Sequence, residues 1–178
     1  MSDIKLSKSR KVKLPSRGTP KSAGLDFYIP EDITIDELAT IYFKIGADIP
    51  EVETEDKDNI NVITKFIIKP GKCLFIPSGI RCIIPPNMML KFDNKSGIAT
   101  KKGLTVVANI VDEDYRGICH LHLMNISDHD VTVEAGTKIC QGILIPVEYA
   151  SVKEVLESEI LSDSTERGQG GFGSTGIK

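Results

Sequence analysis

From Val62 onward the chain is a succession of short apolar runs rich in Ile, Val and Leu, separated at fairly regular intervals by Pro-Gly, Pro-Ser-Gly, Pro-Pro-Asn and Ala-Gly breaks. Breaks of this kind stop a strand and turn the chain, and the runs between them match strand length. The cadence predicts strands from Val12 to Leu14, Leu25 to Ile29, Val62 to Ile68, Cys73 to Pro77, Arg81 to Ile84 and Met89 to Phe92. Further strands are expected from Leu104 to Val111, Gly117 to Ser127, Val131 to Val133 and Ile139 to Val147. Many short strands without helical crossovers imply an all-β domain with antiparallel pairing, in a sandwich, jelly roll or barrel.

Two stretches break the cadence. Glu31 to Asn61 begins with a helical pattern around Asp36 to Phe43 and ends in the acidic run Glu51 to Asp58. It reads as a surface insert, a short helix followed by a mobile acidic loop. Ser151 to Lys178 starts as a short helical or irregular connector and ends in a Gly-rich segment that cannot bury a core of its own. At 178 residues the chain suits one ordinary domain plus appendages. The expected organisation is a β domain over 1–150 carrying the 31–61 insert, then a connector and flexible Gly-rich flap over 151–178.

Charge and composition exclude several classes of partner. With 22 basic and 25 acidic residues the net charge is -3, so no whole-protein field gathers nucleic acid or an anionic membrane. A phosphate ligand has to be met by local groups. No apolar run follows the basic N-terminal segment, and none reaches membrane-spanning length, which points to a soluble, cytoplasmic protein, in the host cytoplasm for a viral or phage product. Cys73, Cys82, Cys119 and Cys140 are widely spaced within apolar runs, the pattern of buried free thiols. His120 and His122 share a strand face at i,i+2 spacing that could hold a metal, but no third ligand accompanies them, and a polar strand face is the simpler reading.

Three segments carry chemistry. Gly168, Gly170 and Gly173 formally match G-x-G-x-x-G, yet that fingerprint works between a strand and the helix it opens, and here no helix-length sequence follows. What remains is a nucleotide flap: Arg167, Ser174, Thr175 and glycine N–H groups can wrap phosphates while Phe172 stacks on a base. Asn94-Lys95-Ser96-Gly97 follows a strand and can aim an ammonium, a hydroxyl and N–H groups at one anion. Asp112-Glu-Asp-Tyr-Arg-Gly117 reads as a hairpin-like turn between two apolar strands, and it sets carboxylates beside an aromatic ring and an Arg.

In this order the segments resemble the five motifs of the trimeric dUTPase family: Ala23 to Asp26, Asn94 to Ala99, Ile110 to Gly117, Gly136 to Gln141 and Arg167 to Gly176. The resemblance spans the domain except the insert. It implies an antiparallel jelly roll or distorted barrel that assembles as a homotrimer, with each tail acting on a neighbour's pocket, and a dUTP diphosphatase using Mg²⁺. Asp112 then corresponds to the carboxylate that activates the attacking water, and Tyr115 to the ring that packs under the sugar and excludes a 2′-hydroxyl. Lys95, Ser96, Gly97 and Gln141 correspond to phosphate-binding positions, and Asp26 with Gln141 to positions that reach Mg²⁺ through water. Arg167, Phe172, Gly173, Ser174 and Thr175 correspond to the closing flap. Backbone groups around Val107 to Ile110 correspond to the uracil-reading hairpin.

Two positions depart from the family pattern. Lys95 stands where an Arg is usual, replacing a planar fork by a point charge, and Asn109 stands where Gly is common, with a side chain beside the expected uracil slot. The insert is a candidate partner surface. Two other readings stand beside the diphosphatase: a deoxynucleotide enzyme on the same fold, such as a dCTP deaminase, and a regulatory binding module on a dUTPase scaffold.

Overall fold

The computed structural model describes residues 3–162 and 164–171. Two short strands, β1 (Lys5–Lys8) and β2 (Leu25–Tyr28), precede helix α1 (Ile35–Ile45), and β3 (Glu51–Lys57) then pairs with β4 (Ile60–Ile68). Next come β5 (Cys73–Pro77), β6 (Ile80–Ile83), β7 (Met88–Asn94), the short helix α2 (Ser96–Lys102), β8 (Leu104–Val106) and β9 (Ile110–Val111). The barrel closes with β10 (His120–Asn125), β11 (Val131–Glu134) and β12 (Lys138–Pro146), and α3 (Glu157–Ser162) follows.

Among the described residues all strand pairing is antiparallel, in four small sheets ordered β1-β6, β5-β10-β8, β11-β4-β3 and β2-β12-β7-β9. The alternation that the pleat imposes sends Leu121 and Leu123 of β10, Val131 and Val133 of β11, and Leu90 and Phe92 of β7 into one core with Phe27, Ile29, Phe66 and Leu74. Phe27 and Phe92 meet edge to face at 4.8 Å. The four cysteines are free thiols, three buried and Cys73 half-buried, and the sulfurs of Cys82 and Cys119 lie 3.8 Å apart. The all-β expectation holds.

The insert departs from its expected form. Its acidic run is not a loop: Glu51–Lys57 is β3, an edge strand with a shift of register after Glu53. Glu53 and Glu51 meet Lys65 at 2.7 Å and Lys69 at 2.5 Å across the ladder. Acidic side chains on an edge also repel a further strand. Nor is α1 merely superficial. Thr34 caps its N-terminus by accepting from the Glu37 N–H at 3.2 Å, Gly46 ends it at φ 66°, and Leu38 and Tyr42 are buried in the common core. Phe43, on the other face, is 89% exposed.

Three other boundaries differ. Residues 12–14 form no strand although Val12 is buried, and the N-terminal strand is Lys5–Lys8, too polar to declare itself. The expected strand from Leu104 to Val111 splits, β8 joining β10 and β9 joining β7, with 107–109 crossing between sheets. The Asp112 turn is therefore no hairpin, because β9 and β10 belong to different sheets.

Residues Met1–Val147 form one compact unit and Glu148–Lys178 a second. Within the second, Arg167 Nε donates to Gly170 O at 2.8 Å and Gly168 N donates to Thr165 O, making a local turn. Phe172, Gly173, Ser174 and Thr175, expected in the flap, lie outside the described residues. Among the described residues no helix is long and apolar enough to cross a membrane.

Candidate active site

Two clusters of motif side chains form along β7, one at its C-terminal end and one where β9 and the 112–118 turn adjoin it. At its C-terminal end β2, β12 and β7 lie side by side, so that Gln141 is the register partner of both Asp26 and Asp93. Gln141 Nε2 donates to Asn94 O at 2.9 Å, and its Oε1 lies over Gly24, where a Cβ would come within 2.6 Å of it. Gly24 is thus required by the side chain that stands on it. Asn94 fixes the strand beyond: its Oδ1 accepts from Val106 N at 2.7 Å and its Nδ2 donates to Thr105 Oγ1 at 3.1 Å.

Asp26 is the electrostatic centre of this cluster. It is 6% exposed, with Lys95 Nζ at 2.5 Å from Oδ1 and Lys138 Nζ at 3.1 Å from Oδ2. Burial alone would raise its carboxyl, but the hydrogen bonds and charges of the two lysines outweigh that and hold it below the usual carboxylate range. Lys95 caps the entry to α2, so Ser96 and Gly97 open its first turn, ahead of the N–H groups of Ile98 and Ala99 that return to Lys95 O. An ammonium, a hydroxyl and turn N–H groups stand together, a set suited to phosphate oxygens.

The second cluster surrounds a cleft of about 320 Å³ beside β9, β10 and the 112–118 turn, with Ala108, Ile110, Asp112, Tyr115, His120 and Phe75 in its wall. Tyr115 N donates to Asp112 O at 3.2 Å, and Tyr115 Oη donates to Ile118 O at 3.0 Å, so the ring is fixed at both ends of the turn. A Cβ on Gly117 would collide with the Tyr115 hydroxyl and ring, which explains a glycine there. The turn is anchored from outside by Arg81, donating to Arg116 O at 2.8 Å, and by Asn87 N, donating to Glu113 Oε2 at 2.7 Å. Asp112 is exposed at the cleft.

The backbone around the hairpin position tolerates Asn109. It is not among the residues of positive φ, so no glycine is needed for its conformation, and its carbonyl accepts from Phe92 N at 2.7 Å. Its neighbours Ala108 and Ile110 face the cleft.

The structure thus brings Asp26, Lys95, Ser96, Gly97 and Gln141 together, and separately Asp112 and Tyr115, with Asn109 on the cleft's flank. It does not join the two groups. Reading the sequence missed Lys138, because a regular strand would put residues 138 and 141 on opposite faces. A register shift between Lys138 and Cys140 reverses that, a feature with no local signal. It also left His120 and His122 as a plain strand face. They pack on Phe75, His120 stacked at 4.9 Å and His122 edge-on at 5.3 Å, and burial lowers both imidazoles below their ordinary value.

Comparison with known proteins gives consistent results. The dUTPase family model matches residues 59–176. The chain is 38% identical over 135 residues to the deoxyuridine 5'-triphosphate nucleotidohydrolase of Desulfotalea psychrophila, covering 72% of this chain and 87% of that one. It is 39% identical over 114 residues to the enzyme of the same name from Hydrogenobaculum sp., covering 63% and 76%. Among solved structures, the Staphylococcus bacteriophage 80alpha dUTPase with dUPNHPP superposes with a TM-score of 0.72 at 18% identity, over 99% of this chain and 100% of that one. A point mutant of the dUTPase from phage phi11 of S. aureus, described with a structural Mg(II) ion, gives 0.63 at 15% identity over 89% and 99%. At these identities the structural likeness establishes the fold.

Proposed function

This chain belongs to the dUTPase family and is an enzyme that hydrolyses dUTP to dUMP and pyrophosphate; we propose that it works at a site shared between copies of a homotrimer, with Asp112 of one copy and Lys95, Ser96 and Gly97 of another meeting on one nucleotide. The observation that carries this reading is the separation of the two clusters. In the β7–β9 ladder Leu90 faces Val111, which sets Asp112 level with Met89, whereas Lys95 follows Asn94. Met89 and Asn94 are about 17 Å apart at roughly 3.4 Å per residue. A general base must lie about 3 Å from its water, and the phosphate-binding groups must touch the same phosphoryl chain. A second copy satisfies both demands, and a closed cyclic assembly repeats the arrangement three times.

In this reading the cleft takes the deoxyuridine. The Tyr115 ring, pinned by its own hydroxyl, lies under the sugar and leaves no room for a 2′-hydroxyl. Backbone groups of 107–110 read uracil. Lys95, Ser96, Gly97 and Gln141 hold the phosphate oxygens. The Asp112 carboxylate accepts a proton from a water whose oxygen forms the new bond to the α-phosphorus, and the bond from that phosphorus to the bridging oxygen breaks as pyrophosphate leaves. Arg167, Phe172, Gly173, Ser174 and Thr175 are assigned to phosphate and base recognition by the family motif they match.

The donor set also bears on the metal. Among the described residues no group of three His, Cys, Asp or Glu side chains could cage an ion. Both Asp26 oxygens face lysines and Gln141 offers one amide oxygen, which fits an ion arriving with the triphosphate and reached through water. When bound to dUTP, Mg²⁺ neutralises phosphate charge and favours departure of pyrophosphate. A dissolved nucleotide as substrate fits work in the cytoplasm.

Pyrophosphate release from dUTP with Mg²⁺, run beside dCTP, dTTP and UTP, tests the substrate. Release from dUTP alone is expected, and equal release from dCTP or dTTP would remove the uracil slot. Asp112→Asn should lower kcat by roughly 10²-fold or more, the low end of a general-base contribution, while nucleotide binding persists. Normal turnover in that variant would take Asp112 out of its role.

A further inference from the structure

Asp26 carries one more cation than its charge requires. Its buried carboxylate is shared by two ammonium groups, Lys95 on Oδ1 and Lys138 on Oδ2, whose side chains are 28% and 49% exposed. Lys138 reaches this position through the shift in β12. Lys138 pairs with Tyr28 and Cys140 with Phe27, so Ile139 is the extra residue and both Ile139 and Cys140 turn inward. The consequence is that Lys138 and Gln141 share the outer face with Asp26. The Lys138 ammonium also lies 6.0 Å from the centre of the Tyr28 ring, which gives it a second attraction on the same side.

Resting on the reading that Lys95 binds phosphate, we propose that Lys138 is a positioning residue which keeps Asp26 compensated and so frees the Lys95 ammonium to turn to the nucleotide.

Charge has to stay balanced while the nucleotide binds. In the absence of nucleotide Lys95 is held by Asp26, and to meet a phosphate oxygen it must loosen that hydrogen bond. If Lys95 were the sole partner, its departure would leave a buried carboxylate unpaired, a state that folded proteins resist strongly. Lys138 on the other oxygen keeps one cation in place throughout. The exchange of Lys95 from carboxylate to phosphate then runs between two anions of comparable pull. A lysine suits such an exchange, because its ammonium is a compact point charge on a flexible stem, whereas a forked guanidinium would clamp the carboxylate in two places. Lys138 itself need not touch substrate; its effect passes through Asp26 to Lys95.

The test is a double-mutant cycle on the full-length protein, read by equilibrium binding of an α,β-imido analogue of dUTP and by KM and kcat for dUTP. Lys138→Met should weaken analogue binding and raise KM by roughly five- to tenfold, with kcat within about twofold of the parent, a coupling typical of residues sharing one network. Lys138→Arg should restore most of the affinity. In an Asp26→Asn background the further change Lys138→Met should have almost no effect, because the carboxylate it acts through is gone and no buried charge is left unpaired. An equal loss of affinity in both backgrounds would overturn the proposal and make Lys138 a distant attractive charge. Unchanged binding on Lys138→Met with a normal Tm would overturn it as well. Should Lys95→Met alone leave binding intact, the phosphate role of Lys95 fails first, a result distinct from failure of Lys138 alone.

Discussion

His120 and His122 show how a single side chain can be read from sequence in kind but not in consequence. Their i,i+2 spacing placed them together on one face of β10, as observed, yet nothing local indicated that the face would close on Phe75 and the cleft beside β9. Burial disfavours the charged imidazole at both, and at His120 a backbone hydrogen bond near Ile118 offsets this only in part. Because both folded values lie below the ordinary 6.5, the unfolded chain binds protons first as pH falls. The contribution of these two imidazoles to stability is therefore fully present above pH 6.5 and is lost as the pH drops from there toward the lowered folded values. The Tm of the parent should fall between about pH 7.5 and 5.5, and a His120→Gln, His122→Gln variant should lose less over that interval. Parallel Tm profiles would show that these imidazoles are not the groups responsible. Asp112, Tyr115 and Gln141 were singled out from patterns that are local in the chain, whereas Lys138 meets Asp26 through a bulge that no residue announces.

At the scale of elements, the β cadence was readable because alternate burial leaves its mark on every core strand, as in Leu121 and Leu123 or Val131 and Val133. The strand Glu51–Lys57 lacked that mark, since Val52 is its one aliphatic residue and it is held by backbone bonding and lysines across the ladder. Helix α1 was anticipated from its periodicity, but its docking was not. That docking rests on Tyr42, whose hydroxyl donates to Cys73 O at 3.2 Å and accepts from Phe75 N at 2.9 Å, tying the helix to β5. Burial outweighs the Phe75 hydrogen bond and raises the Tyr42 hydroxyl above its ordinary value, so it stays protonated and keeps its donor. Tyr42→Phe leaves two backbone groups of β5 without this partner and should cost about 1–3 kcal/mol, a fall in Tm of several degrees by differential scanning calorimetry. Phe75 also walls the cleft proposed to take the nucleoside, so on that reading KM should rise with the loss of stability. An unchanged Tm would mean that water or a shifted backbone replaces the tie without cost.

For the whole molecule, the proposed function turns on the register of β9 against β7, which sets the proposed phosphate-binding residue Lys95 and the proposed water-activating residue Asp112 toward different ends of β7 within one chain. Sequence order could not reveal this, because motifs adjacent in the chain, at Asn94–Gly97 and Ile110–Gly117, are carried apart by the split of β8 from β9. The proposed function places the site between copies, and mixed assemblies discriminate that arrangement from a site within one chain. Asp112→Asn and Lys95→Met chains, each of low activity alone, should be co-refolded in equal amounts and assayed for dUTP hydrolysis. If the groups come from different copies, random assembly pairs an intact Asp112 with an intact Lys95 in about one site in four, and activity should recover to roughly a quarter of the parent. If both groups serve within one chain, every site in every mixture retains a defect, and activity that stays at the level of the separate variants would contradict the shared site.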